Sequence, residues 1–445
     1  MAARNGGNGR RQNGGSPGAV TGAMQPQGID DSEYGWSQIG VHDLVPKLGY
    51  REYWYPAIEA HKVGKKSLML FGRRKPSRVK MLGEDIVIFE GMDGNFGALW
   101  DRCPHRGTVL SYGRCEFKGT ISCPYHGYTF DETGLCVAAL TEGPDSGLNG
   151  KLRAKSYPTA VVRGVIFVWM GQTEPVPIEE DVPEEFFNEE YAVKVYSKMW
   201  PLNWTLTIEN SGDSHNSYIH RFRLRRLFNK DAFRQLPAYW SGTRVVGETD
   251  KSIGIMPTVH TPQQAYYPLL GSKWPQRVWW RFLKILRRGE NTYTGKPYTN
   301  EYRLPSIARV DTRARLHNRW AVPIDEDHCN MFTFGIMPGG NRWKRLLANL
   351  YFHIVYRYWL IKGVNELEDL PVQRFDRLDT AAPQKLGTND RAIIFWRRKM
   401  PLKSRDAQRV WGNAERAAVE AAAAQEYEEN FQPEPQQTVA VGDDG

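Results

Sequence analysis

Between about residues 48 and 172 the apolar positions fall in short runs rich in β-branched and aromatic side chains. Asp85-Ile-Val-Ile-Phe89, Gly97-Ala-Leu-Trp100 and Gly164-Val-Ile-Phe-Val-Trp169 are the clearest, with Thr120-Ile-Ser122 as a shorter one. Gly91-Met-Asp-Gly94 and Asp131-Glu-Thr-Gly134 break them with turn residues. This pattern predicts a small β-sandwich. A Pro/Glu-rich stretch beginning at Glu174 comes next, a linker or a domain edge. Beyond it the period lengthens. Helical patterns run near 202–220, 274–288, 343–362 and 408–428, and strands are expected near 244–260 and 330–336. The fold class expected is α+β: an all-β N-terminal domain, then an α+β domain of antiparallel sheet with packed helices. The boundaries expected are a disordered tail over 1–30, the β domain over 48–172, the α+β domain over 180–412, and a C-terminal helix and polar tail over 413–445.

Length and composition permit this division. The chain has 445 residues, of which 41% are hydrophobic, enough for two or three domains with proper cores. Five cysteines are too few, and too irregularly spaced, for a disulfide framework, which suits a reducing cytoplasm. The Gly, Asn and Arg-rich N-terminus has no apolar core of a secretory signal. The net charge of +9 fits an acidic partner or a membrane surface. Nucleic-acid binding finds no supporting motif.

The candidate chemistry begins at Cys103-Pro-His105 and Cys123-Pro-Tyr-His126, separated by seventeen residues. A Rieske [2Fe–2S] centre needs this ligand order: two Cys hold one iron and two His the other. Structural zinc also takes two Cys and two His. Such sites usually open with C-x2-C or C-x4-C, whereas each Cys here precedes Pro and each His lies at or near a Gly (Gly107, Gly127). Those residues suit two tight, facing loops whose amides can reach sulfur. Cys115, Cys136 and Cys329 sit at no ligand spacing.

A second constellation lies past the Pro/Glu stretch, in Glu209-Asn-Ser-Gly-Asp213-Ser-His215-Asn-Ser-Tyr-Ile-His220. Two His near a carboxylate are candidates for a 2-His-1-carboxylate iron site. Five residues on a regular helix turn through roughly 140°, so both imidazoles face one ion only if the helix ends or bulges there. The bland alternatives are two His decorating a helix and a turn Asp beside Gly212.

The run CPHRG…CPYHGYTFD resembles the Rieske domain of ring-hydroxylating non-haem iron oxygenases, and E-N-x-x-D…H-x4-H resembles their iron site. The stretch from Asn365 to Gln373, continuing through Leu386 to Trp396, is similar to the phthalate dioxygenase-like group. The resemblance implies that Cys103, His105, Cys123 and His126 hold the cluster. It also implies that His215, His220 and Asp369, with Glu368 as the alternative, hold Fe(II). It gives Asp213 the role of bridging to a cluster His of the neighbouring subunit. In the family that Asp precedes the first His by three residues and here by two, which leaves Asn210 or Glu209 as substitutes. The implied activity is oxidation of a small apolar, ring-containing substrate by O2. Hydroxylation, demethylation and desaturation share the same machinery. Electrons are expected from NAD(P)H through a separate reductase or ferredoxin, since the chain shows no nicotinamide or flavin fingerprint. A head-to-tail homotrimer is implied as well.

Two readings from other classes compete. A pure Rieske electron carrier needs only about the first 170 residues and leaves His215 and His220 without a role. A zinc-stapled binding protein would be colourless. Two aromatic and basic stretches, Lys273–Arg288 and Arg342–Ile361, suit either peripheral membrane contact or buried interface helices. The second is too interrupted by Arg345, Asn349, His353 and Arg357 to span a bilayer.

Overall fold

The computed structural model describes residues 45–64, 75–212, 219, 240–259, 300–311, 315–375 and 390–410. The expected helix 274–288, the tail 1–30 and most of the stretch 408–428 lie outside them.

The N-terminal part is all β, as its short apolar runs require. One sheet orders Ser77–Met81, Glu84–Glu90, Phe96–Trp100 and Ser156–Tyr157; a second orders Trp54–Glu59, Val165–Trp169 and Thr159–Val162. Thr120–Ser122, Tyr128–Asp131 and Cys136–Ala139 form a third, antiparallel, sheet. The expected turns are present. Met92–Gly94 makes a 3-10 turn, and Asp131 closes the other by accepting from the amides of Thr133 (2.9 Å) and Leu135 (3.0 Å).

The C-terminal part is a seven-stranded antiparallel sheet. Its order is Tyr191–Trp200, His328–Pro338, Leu316–Asp325, Ile307–Asp311, Asn300–Arg303, Ser252–Val259 and Trp240–Glu248. The region near 244–260, where strand was expected, holds two strands, Trp240–Glu248 and Ser252–Val259. Thr249 turns the chain, its hydroxyl accepting from the amides of Lys251 and Ser252. Leu316–Asp325 carries no two-fold alternation because both of its faces are covered. His317 and Arg319 point to the helices, while Asn318 and Trp320 point the other way.

Helices cover one face of this sheet, and the N-terminal domain covers the other. On the helical face, Trp204–Gly212 and Arg391–Lys403 meet through Trp204 and Trp396, and Trp396 packs on Tyr302 (5.5 Å between ring centroids). On the opposite face Phe167 packs edge-on against Trp320 at 5.5 Å, and Phe186 against Phe334 at 5.0 Å. One hydrophobic cluster runs from Tyr50 through Phe167 and Trp320 to Trp396, so the two parts share a core.

The Pro/Glu-rich stretch is therefore an edge built into this seam and not a free linker. Asp181 and Glu185 are buried there. Asp181 accepts from the Trp54 amide (2.9 Å) and pairs with Arg405. Glu185 pairs with Arg309, which also holds Glu301 at 2.6 Å. The pairing matters because buried charges need compensation.

The helix expected near 343–362 is longer. Arg342–Tyr351 is α-helical and capped by the Asn341 side chain on the Lys344 amide (2.9 Å), and Phe352–Asp369 continues as a π-helical stretch into Leu370–Gln373. Phe352, Tyr356, Ile361, Gly363, Asn365, Asp369 and Gln373 are buried along this stretch, and apart from Gly363 they recur every four or five residues, wider than 3.6, as suits π geometry.

Candidate functional site

Two loops built alike carry the first four candidate ligands. In the first, the Cys103 amide donates to the Thr108 carbonyl (2.8 Å) and Gly107 donates back to the Cys103 carbonyl (2.8 Å). In the second, Cys123 donates to Tyr128 (2.8 Å) and Gly127 to Cys123 (3.1 Å). The closing residue of each loop sits in the left-handed region, with φ of +76° at Gly107 and +70° at Gly127, which is why glycine stands there. Amides of His105 and Arg106 point at the Cys103 sulfur, and those of Tyr125 and His126 at the Cys123 sulfur. Asp101 anchors the first loop by accepting from the amide (2.6 Å) and hydroxyl (2.7 Å) of Ser111.

The loops face each other. Cys103 and Cys123 are buried and hydrogen bond to one another, while the His105 and His126 rings lie outside them with centroids 4.9 Å apart. The bond from Cys103 pulls the Cys123 thiol down to about 6; the same bond, then burial, pushes Cys103 up. Among the described residues no three His, Cys, Asp or Glu side chains converge on one point. The set is thus an inner thiol pair and an outer imidazole pair. A tetrahedral zinc site asks four donors to converge; a two-iron cluster asks for this division. The residues present fit the cluster.

A third segment grips the His-bearing loop. Leu140 donates its amide to Gly127 (3.3 Å), and the Thr141 hydroxyl donates to the His126 carbonyl (2.8 Å). The Tyr128 hydroxyl donates to Glu142, which also accepts from Ser146 at 2.5 Å. Ser146, then Tyr128, hold the Glu142 carboxyl below the usual carboxylate range. The Tyr128 ring lies 4.6 Å from that of His105. Sequence reasoning missed Glu142 and Tyr128 as functional positions. Tyr128 stands inside the CPYHGYTFD motif, but nothing in the sequence pairs it with Glu142.

For the second constellation, Asp213, His215 and His220 lie outside the described residues. What is described is how the chain is led to them. Trp204–Gly212 ends with Ser211 donating to the Thr207 carbonyl (2.9 Å) and receiving a hydrogen bond from Arg319. Asn300 donates to the Ser211 carbonyl (3.1 Å) and Tyr302 to that of Glu209 (2.9 Å). The Glu209 carboxylate is clamped by Arg397 at 2.7 and 2.8 Å. That fork gives Glu209 a structural part and argues against it as the substitute for Asp213.

Of the acidic candidates further along, Asp369 is buried, at 3% exposure, whereas Glu368 is half-buried and Glu366 pairs with Lys198 at 2.7 Å. Asp369 faces the same interior as the end of Trp204–Gly212. Arg319 lies between them, bonded to Ser211 and within electrostatic reach of Asp369. Burial pulls the Arg319 pKa down, and the Asp369 charge opposes that. A buried carboxylate at Asp369 suits the third position of a 2-His-1-carboxylate Fe(II) site.

Comparison with known proteins agrees with this geometry. The Rieske [2Fe–2S] domain matches residues 54–158, and the homotrimeric ring hydroxylase family matches residues 169–405. The chain is 28% identical over 367 residues to CarAa, the terminal oxygenase component of carbazole 1,9a-dioxygenase from Metapseudomonas resinovorans, covering 79% of this chain and 90% of that one. It is 31% identical over 182 residues to the 5,5'-dehydrodivanillate O-demethylase oxygenase subunit of Sphingobium sp. (strain NBRC 103272 / SYK-6), a match over 40% of each. The solved terminal oxygenase of carbazole 1,9a-dioxygenase from Nocardioides aromaticivorans IC177 shares its fold, with a TM-score of 0.62 at 23% identity over 84% of this chain and 98% of that one. The paired cluster loops and the sheet behind them thus have their counterpart in known oxygenases, and the chain belongs to the homotrimeric ring hydroxylases, oxidoreductases with an N-terminal Rieske [2Fe–2S] domain.

Proposed function

We propose that this chain is the terminal oxygenase of a multicomponent system, hydroxylating a small apolar ring compound with O2. The observation that carries the reading is the inner-thiol, outer-imidazole pairing of two loops fused to a second, larger domain through a shared core. An electron carrier needs no such second domain. In this reading Cys103, His105, Cys123 and His126 hold the cluster; His215, His220 and Asp369 hold Fe(II); and Asp213 bridges to a cluster His of the next subunit in a closed trimeric ring. When bound, the two metal centres supply electron transfer and oxygen activation.

The chain's own residues then have separate tasks. The loop amides stabilise the thiolates. The Ser211–Arg319 bond and the Arg397 clamp hold the end of Trp204–Gly212 against the sheet, which fixes where the His-bearing segment starts. The separate electron donor is a ferredoxin or reductase fed by NAD(P)H. Polycyclic substrates such as carbazole, named for the Metapseudomonas relative, suit the apolar chemistry expected here. Demethylation is the second reading, favoured by the demethylase match; the pose of the substrate decides which atom is oxidised.

Among the described residues no helix is long and apolar enough to cross a membrane. The outer face of Arg342–Asp369 exposes Trp343, Leu347, Leu350, Ile354 and Tyr358, beside the exposed cations Arg342 and Lys344. This combination supports peripheral contact with an anionic bilayer. Co-sedimentation with phosphatidylglycerol vesicles tests it, and retention in the supernatant at low salt would refute it.

The first experiment on the function is iron and acid-labile sulfide per chain in anaerobically purified protein, with an EPR spectrum after dithionite reduction. Three iron and two sulfide with a Rieske signal are expected. Two iron with the same signal would reduce the chain to a carrier, and zinc without sulfide would overturn the reading.

A further inference from the structure

The carboxylate of Glu142 has no part in holding metal, yet it is tied to the cluster site from two directions. Through Tyr128 it reaches the phenol whose ring lies 4.6 Å from His105. Through its neighbour Thr141 it belongs to the segment that bonds the His126 carbonyl at 2.8 Å. Leu140 packs directly on Gly127, where an added methyl would stand 3.0 Å from the Leu140 Cβ. The segment Leu140–Glu142 therefore lies against the loop that carries His126, on the imidazole side of the site, where His105 stays exposed. The thiol side is already covered by the N-terminal core.

We propose that Glu142 is a positioning residue that keeps the Rieske cluster at low potential. Two effects add. The hydrogen bond directs the Tyr128 hydroxyl proton to a carboxylate, so this phenol is withheld from donating to a cluster sulfur, a bond of the kind that raises the potential. The carboxylate also places a negative charge beside the imidazole pair, within electrostatic reach of both His105 and His126. A nearby anion favours the more positive, oxidised cluster, so reduction becomes harder and onward delivery of the electron more favourable. Ser146 holds the carboxylate in place from its other oxygen. The inference rests on the cluster being bound by the four loop residues.

The test is an EPR-monitored potentiometric titration of the full-length holoprotein and of Glu142→Gln. The midpoint potential is expected to shift positive in Glu142→Gln and to stay near the wild-type value in Glu142→Asp, which restores the charge. Tyr128→Phe should shift it in the same direction by less, because the charge remains while its aim is lost. High salt should raise the wild-type potential towards that of Glu142→Gln. An unshifted potential in Glu142→Gln with intact signal would overturn the proposal. So would failure of both Glu142→Gln and Glu142→Ala to load a cluster, which would make Glu142 a structural brace. Absence of any Rieske signal in the wild type would instead sink the cluster assignment itself.

Discussion

The cluster site takes all four candidate ligands from one short stretch of chain, Cys103–His126, whereas the candidate carboxylate Asp369 and the His215/His220 segment come from opposite ends of the second domain. In the short stretch, local bonds do the positioning. Each Cys is fixed by its own loop glycine, the paired strands Thr120–Ser122 and Tyr128–Asp131 flank the second loop, and a bridge between Arg114 and Ser122 ties the segment after the first loop to it. On the iron side, position is set by groups far away in the chain. Arg319 from the middle of the sheet holds Ser211, and Arg397 from a late helix holds Glu209. A locally built site tolerates damage elsewhere in the fold, and a site assembled from distant segments inherits every weakness of the sheet beneath it.

The sharpest way to break this comparison is to remove one site at a time. Cys123→Ser should abolish the Rieske signal while retaining mononuclear iron, and Asp369→Ala should lose the third iron while keeping the signal. Each should reduce product formation by at least about a thousandfold, since oxygen chemistry needs both centres. If Asp369→Ala keeps three irons per chain, Glu368 becomes the candidate ligand.

Arg309→Met probes the shared core. It takes away the cation that pairs with the buried carboxylate of Glu185, 2% exposed, and one of the partners of Glu301, 3% exposed. A loss of about 3–5 kcal/mol is expected. Calorimetry should show one transition moving down as a unit. Two separated transitions would mean that the cluster domain stands alone.

The smallest effect distinguishes the two loops from each other. Gly107→Ala meets nothing within 4 Å, so its cost is the left-handed backbone alone, roughly 1–2 kcal/mol. Gly127→Ala adds the contact with Leu140 and should cost more. Chemical denaturation of the two variants measures the difference. Equal costs would show that the Leu140 segment yields freely, which would also weaken its hold on the loop that carries His126.

The sequence carried the cluster site because its chemistry is local. The C-x-H and C-x2-H spacing, the prolines and the glycines all lie within the loops they shape. It carried the β runs of the first domain for the same reason, since Glu84–Glu90 and Val165–Trp169 announce themselves by composition. It did not show Leu316–Asp325, where His317, Arg319 and Asn318 look like surface residues. They are buried because helices pack on one face of the strand and a whole domain on the other. Nor did it show that Phe352–Asp369 winds with a wider turn, since the buried spacing there depends on what the helix meets.

By itself the sequence determined which residues are the candidate metal ligands, in what order, and that one domain is β and the next mixed. Only the tertiary structure decided that Asp369 turns inward while Glu366 pairs with Lys198, that Glu209 is taken by Arg397, and that Glu142 reaches Tyr128. The physical reason is common to all of these. A carboxylate's role depends on the charge and the donors it meets, and those partners are brought together by packing, not by proximity along the chain.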